Sequence, residues 1–162
     1  MSRSLERVRA ALAAAGEAVE TLEMPSETRT AEQAAAAAGC ALDQIVKSIL
    51  FAGGDGGVFL FLTAGGNRVD PAAASGLAGQ ALGRADADLV RRVTGFAIGG
   101  VAPIGHLTPL PVWMDPRLME FPLVWAAAGT PRHIFGVSPH RLRDLAGAQL
   151  AAFCGARDGD VS

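Results

Sequence analysis

Apolar positions recur along this chain with two periods, and the switches between them lay out the elements. A helical period opens the chain: Ser4 is placed to cap a helix whose Leu5, Val8 and Leu12 share one face, and Gly16 ends it. Residues 19–24 read as a short edge strand, and Pro25, Ser26 and Glu27 as loop. Thr30-Ala31-Glu32-Gln33 is a capping-box pattern opening an alanine-rich helix to Ala38, which Gly39 stops. Alanine has little side-chain volume, so this helix can approach a sheet closely.

Alternation with a period of two then takes over. After a turn at residues 41–44, a strand is predicted over 45–52, with Ile45, Lys47, Ile49 and Phe51 on one face. The glycine-rich stretch 53–57 reads as a hairpin loop, and 58–63 returns as an apolar strand. Residues 64–68 form the next loop, and Asp70-Pro71 starts a helix to about Leu77. A brief strand at Arg84-Ala85 precedes a helix capped by Asp86, with Leu89, Val90 and Val93 inward and Arg91 and Arg92 outward. Later come a strand over 110–115, a helical turn over 116–119, strands over 123–127 and 133–137, and a turn at Gly129-Thr130-Pro131 between them. Ser138-Pro139 caps a helix over 140–145, and the tail from Gly155 reads as polar and frayed. Strands and helices mix without strict alternation, so the fold class is α+β: one domain over 1–162, a mixed sheet flanked by helices.

Two stretches do not read as scaffold. Residues 95–106, Gly-Phe-Ala-Ile-Gly-Gly-Val-Ala-Pro-Ile-Gly-His, hold four glycines and a proline with no regular period. That composition suits a rigid loop whose own N–H groups face a ligand, or a tight helix–strand connection. The other is the lysine strand. Lys47 puts an ammonium in an apolar row, and among fourteen basic side chains it is the only lysine. A compact point charge is not interchangeable with a planar guanidinium, so a lysine kept in an arginine-rich chain points to function; a strand-end lysine reaching for water is the plainer alternative.

Composition narrows the function classes. Half the residues are hydrophobic and the net charge is −2, which does not advertise a nucleic-acid binder. No apolar run reaches membrane-spanning length and no secretory signal pattern opens the chain, so a cytosolic protein is expected. Cys40 and Cys154 form no C-x-x-C pair, and Cys40 reads as a small buried hydrophobe. His106, His133 and His140 lack ligand spacing, so neither a metal nor another cofactor is expected.

In order and spacing, Gln44-Ile45-Val46-Lys47-Ser48, Thr94 through Gly105 and Leu110-Pro111-Val112-Trp113-Met114-Asp115 make the chain resemble the YbaK/ProX family of aminoacyl-tRNA deacylases. The same domain is inserted in many bacterial prolyl-tRNA synthetases. Residues 64–70 and 128–135 add to the likeness, which runs from about Thr30 to Cys154. It implies a curved mixed sheet with a cleft at the glycine loop, and hydrolysis of the ester of a mischarged tRNA, most simply tRNA for proline carrying Ala, Ser, Thr or Cys. The partners it implies are the tRNA acceptor end and prolyl-tRNA synthetase. The G-x-x-x-P loop, here Gly99, Gly100, Val101, Ala102 and Pro103, would supply main-chain donors to the oxyanion, with the substrate's terminal ribose hydroxyl helping to organise the reaction.

Lys47 would anchor the ester carbonyl or the terminal phosphate. Asp115 would orient Lys47 or the ribose, or else cap the turn at Pro116. Asn67 and Arg68 are candidate substrate contacts or else solvated loop residues, and Ala128, Gly129 and His133 are further candidate contacts. The absence of a G-x-S-x-G elbow or a Cys/His pairing fits a reaction without a protein nucleophile. Two other readings stand beside it: a catalytically silent module of this fold that binds tRNA or a synthetase, and a small-molecule ester or amide hydrolase using the same cleft.

Overall fold

The computed structural model describes residues 3–17, 21–25 and 30–155. Among these residues eight strands form one mixed sheet: β1 (Thr21–Glu23), β2 (Ile45–Gly53), β3 (Val58–Ala64), β4 (Leu82–Arg84), β5 (Val112–Met114), β6 (Val124–Thr130), β7 (His133–Val137) and β8 (Gln149–Leu150). Their order is β1-β7-β6-β2-β3-β5-β8, with β4 pairing on β2. The hairpins β2–β3 and β6–β7 are antiparallel, whereas β2–β6, β3–β5 and β5–β8 are parallel. Among the described residues five α-helices accompany the sheet: α1 (Arg3–Ala14), α2 (Ala31–Ala38), α3 (Pro71–Ala78), α4 (Ala87–Thr94) and α5 (Pro139–Ala146).

The sheet is buried on both faces, which is why β3 reads as a continuous apolar run. Leu60 and Leu62 face the larger core with Val8 and Leu12 of α1, Val112, Met114, Phe135 and Leu142. Phe61, one residue out of phase, faces Ala74, Trp113 and Phe153, and its ring stacks on Trp113 with centroids 5.1 Å apart. Ala34 and Ala35 of α2 pack with Ile45, so the alanine helix does lie close on the sheet.

Side-chain caps set most of the helix starts. Thr30 accepts from Gln33 N, Asp70 from Ala72 N, Asp86 from Leu89 N and Ser138 from Arg141 N. Ser4 is different: α1 already includes Arg3, so Ser4 lies inside the helix and not at its cap. The brief strand expected at 84–85 is displaced to Leu82–Arg84, where it pairs with the end of β2. The strand expected over 110–115 shortens to Val112–Met114, because Asp115 turns to cap a 3-10 helix, Pro116–Glu120. β6 runs on to Thr130 through a bulge after Ala127, so Gly129 belongs to a strand. The polar tail expected beyond Gly155, the first part of the edge strand expected over 19–24, and Ser26 and Glu27 of the loop lie outside the described residues. Among the described residues no helix is long and apolar enough to cross a membrane.

Candidate active site

A split in the sheet makes the site. β2 pairs with β6 only at Ile45↔Trp125 and Val46↔Ala126, and with β4 only from Phe51 onward. Along residues 47–50, β3 covers one edge of β2 and, among the described residues, no strand covers the other. A cavity of about 160 Å³ opens there. Its walls are Thr30, Ala31 and Ala34 at α2, the bare stretch of β2, Ile98, Gly99 and Val101 of the glycine loop, and Trp125, Ala127 and Ile134.

Lys47 stands between this cavity and a second, outer one of about 390 Å³ lined by Glu32, Leu42, Gly65, Gly66, Asn67 and Arg68. Its Nζ donates to the Asn67 carbonyl at 2.5 Å. Burial pushes its pKa below the ordinary lysine value and Arg68 pushes the same way, while Cys154, Glu32 and Asp115 push it back up. The ammonium is thus held in place, half out of water, by a main-chain oxygen.

That oxygen is itself fixed from beneath. Asn67 is buried, and its Nδ2 donates to Asp115 Oδ2 at 2.8 Å. The Asp115 carboxylate also accepts from Ala64 N (3.1 Å), Arg117 N (3.0 Å) and the Cys154 thiol (3.4 Å). Asp115 therefore caps the Pro116 turn and, through Asn67, orients Lys47. Asp43, which the sequence reading passed over, does the parallel job one residue earlier: Oδ1 accepts from Gly66 N at 2.7 Å and Oδ2 pairs with Arg117 Nε at 2.9 Å. A lone aspartate in a loop carries no sequence signal of such a role.

The glycine loop is held by burial. Phe96 is fully buried beneath the Arg7 guanidinium, 4.4 Å from the ring centroid. Gly100 packs so close to Thr130 that a Cβ would lie 2.9 Å from its main chain, and Gly99 adopts a φ of 92° that only glycine takes readily. Gly99 and Val101 line the cavity. Gly100, Ala102 and Pro103 are buried behind them, with Gly100 N donating to Ala97 O at 3.0 Å and the Ala102 carbonyl accepting from His106 Nε2 at 2.7 Å. Among the described residues the N–H groups of Gly99 and Val101 meet no protein acceptor.

Three expected contacts lie elsewhere. Ala128 is in the core, Gly129 abuts Ser4 and Phe96, and His133 Nδ1 is 2.6 Å from Thr130 Oγ1, beside Glu23. The residues that reach the cavity are their neighbours Ala127 and Ile134, one step out of phase on β6 and β7. Of Arg68, Arg84, Arg91, Arg92 and Arg132, Arg68 alone lines the outer cavity and none lines the inner one. Among the described residues no cluster of His, Cys, Asp and Glu is arranged to hold a metal. Burial and the Asp115 carboxylate push the Cys154 thiol up to about 12, and burial raises Cys40, so neither offers a thiolate.

Residues 25–145 match the model of the aminoacyl-tRNA editing domain. A crystal structure of a candidate trans-editing enzyme for prolyl-tRNA synthetase superposes with a TM-score of 0.90 at 46% identity, covering 96% of this chain and 99% of that one. A structure from computational epitope grafting on scaffold proteins superposes with a TM-score of 0.91 at 44% identity, covering 96% and 100%. The uncharacterised protein YwhH of Bacillus subtilis (strain 168) is 29% identical over 126 residues, 78% of this chain and 80% of its own length.

Proposed function

The chain belongs to the aminoacyl-tRNA editing domain family, and on that footing we propose that it is a free-standing, cytosolic deacylase that hydrolyses mischarged aminoacyl-tRNA, in particular tRNA for proline carrying a small non-cognate amino acid. The observation that carries this reading is the position of Lys47, which lines both the inner cavity and the larger outer one, with Gly99 and Val101, whose N–H groups are open, on the wall of the inner cavity. The aminoacyl group enters the inner cavity and the terminal nucleotide rests in the outer one beside Arg68 and Asn67, which leaves the ester at the lysine. Similarity to a candidate trans-editing enzyme for prolyl-tRNA synthetase supports that synthetase as the source of the misacylated tRNA.

Hydrolysis of an activated ester needs a placed water and a stabilised oxyanion. Water adds to the ester carbonyl carbon, and the oxyanion forms toward Gly99 N and Val101 N, where each preorganised donor is worth about 3 kcal/mol. The bond to the ribose oxygen then breaks, that oxygen takes a proton, and the free amino acid and a tRNA with an intact terminal hydroxyl depart. Lys47 holds the ester carbonyl or the adjoining phosphate with its ammonium.

An inner cavity of about 160 Å³ walled by Ala31, Ala34, Gly99 and Ala127 selects by size. A single methylene discriminates by about 1–3 kcal/mol in such a site, so neighbouring sizes overlap. The test is single-turnover deacylation of several aminoacyl esters on one tRNA body. Alanyl, seryl, threonyl and cysteinyl esters should be cleared while prolyl, leucyl and phenylalanyl esters persist. Equal clearance of the bulky esters would refute the size reading, and no clearance of any would leave a silent binding module as the better account.

A further inference from the structure

The bare edge of β2 has a chemical polarity of its own. Leu60 N donates to Pro111 O at 3.0 Å and Asp115 N donates to Leu62 O at 2.8 Å, so the main-chain groups of Leu60 and Leu62 point toward β5 and away from β2. In an antiparallel ladder, directly opposed residues either both point inward at one another or both point outward. Leu50 opposes Leu60 and Ser48 opposes Leu62. The N–H and C=O of Ser48 and Leu50 therefore point outward too, along the stretch that neither β6 nor β4 covers. Both residues line the inner cavity.

A second observation is independent of that register. The hydroxyl of Ser48 is buried and has no hydrogen-bond partner among the described residues. Buried hydroxyls in native folds are almost always satisfied, and one left open at a cavity wall marks a place for a ligand group. Ser48 also leaves the strand on the face opposite Lys47, so a cationic or amine group touching Ser48 is separated from the lysine ammonium by the strand itself.

We propose that this edge binds the aminoacyl moiety as a strand one residue long. Its α-amine donates to a main-chain carbonyl of Ser48 or Leu50 and to Ser48 Oγ, and its ester carbonyl lies along the same edge. Strand addition to a bare sheet edge recognises main chain and leaves side chains to be sorted by the walls. The edge thus reads what all primary α-amino acids share. A prolyl group, with one fewer N–H and a ring fixing its direction, pairs poorly.

This inference rests on the deacylase reading and goes beyond it. The kinetic test compares alanyl-tRNA with lactyl-tRNA, in which a hydroxyl replaces the amine and the side chain is unchanged. Wild-type protein should prefer the alanyl ester by about tenfold, the scale of one net hydrogen bond. Ser48→Ala should shrink that ratio several-fold while melting no earlier than wild type, and Ser48→Thr should keep it. Equal rates on the two esters, or an unchanged ratio in Ser48→Ala, would overturn the assignment.

A binding test separates it from the activity. With 3′-deoxy-3′-(L-alanyl)aminoadenosine as probe, the amide resonances of Ser48 and Leu50 should shift. If they shift and alanyl-tRNA is not hydrolysed, the deacylase reading falls and the edge assignment stands. If alanyl-tRNA is hydrolysed and they do not shift, the edge assignment falls alone.

Discussion

The two walls that face each other across the lysine are both glycine-containing loops, yet they are fixed by opposite means. The turn at residues 64–68 is tied down by polar bonds, with Asp43 and Asp115 beneath it and the Lys47 ammonium drawn against its Asn67 carbonyl. The loop at residues 95–106 is set by packing: Phe96 under Arg7, Gly100 against Thr130, Ala102 buried. One wall orients a charge, the other presents bare main chain. Side-chain chemistry therefore governs the first wall and side-chain volume the second.

The sharpest way to break the polar wall is to remove its anchor. Asp115→Ala strands the Ala64 N–H and the Asn67 amide in a buried site, so a loss of roughly 3 kcal/mol of stability is expected, read as a lower denaturation midpoint. Lys47→Ala leaves the fold but removes the charge at the partition. Single-turnover deacylation should fall about a hundredfold, near 2.7 kcal/mol, with Lys47→Arg failing to restore it because a planar fork does not fit a site shaped for an ammonium. A fully active Lys47→Ala protein would take the residue out of the reaction.

The packed wall answers to volume instead. Gly100→Val would drive a branched side chain into the Thr130 main chain. We expect about 2 kcal/mol of destabilisation together with reduced turnover, as displaced backbone carries Gly99 and Val101 off the oxyanion.

Titration sharpens the comparison without mutation, because the two walls respond at opposite ends of the pH scale. Lys47 has a folded pKa below 10.5, so between its folded and unfolded values the unfolded chain binds the extra proton and stability rises with pH. Activity that needs the ammonium falls over the same alkaline window. His106 has a folded pKa below 6.5, mainly from burial, offset by its bond to Ala102 and reinforced by Arg7. Acidification below 6.5 therefore charges it at the expense of the fold, and the glycine loop should loosen first, visible as early amide exchange at Gly100 and Leu107, whose N–H groups donate to Ala97 O and Thr94 O. The smallest effects belong to the cysteines: Cys40→Ala and Cys154→Ala should each leave the chemical step within about twofold of wild type, since a thiol raised to about 12 supplies no nucleophile.

Local chemistry made much of this legible in advance. The lysine strand, the β6–β7 pair and the caps at Thr30, Asp70, Asp86 and Ser138 follow from period and side-chain type. What stayed hidden is long-range. Period gives the faces of β2 but not which of its edges lies bare, so Ser48 beside the conspicuous Lys47 drew no notice. The bulge after Ala127 leaves the phase of β6 open, so the small-residue run 126–129 does not by itself tell which of its members faces the cavity. β8 is two residues paired in parallel with β5, from which a 3-10 helix, β6, β7 and α5 separate it along the chain, and it is too short to carry a period. Asp43 looks like any turn acid until the fold brings Gly66 above it, whereas Asp115 is already legible as a cap for the Pro116 turn or a partner for Lys47.

Because Lys47 belongs to both cavities, it is a fixed zero mark on a gauge. Whatever seats its ester there is measured from that origin in two directions, with the acyl group read against the smaller cavity and the nucleotide against the larger one. Enlarging the floor at Ala34 or Ala127 resets the scale on one side only. The protein's tolerance for larger acyl groups and its hold on the nucleic acid can therefore change separately, over generations or at the bench, so long as the lysine stays where it is.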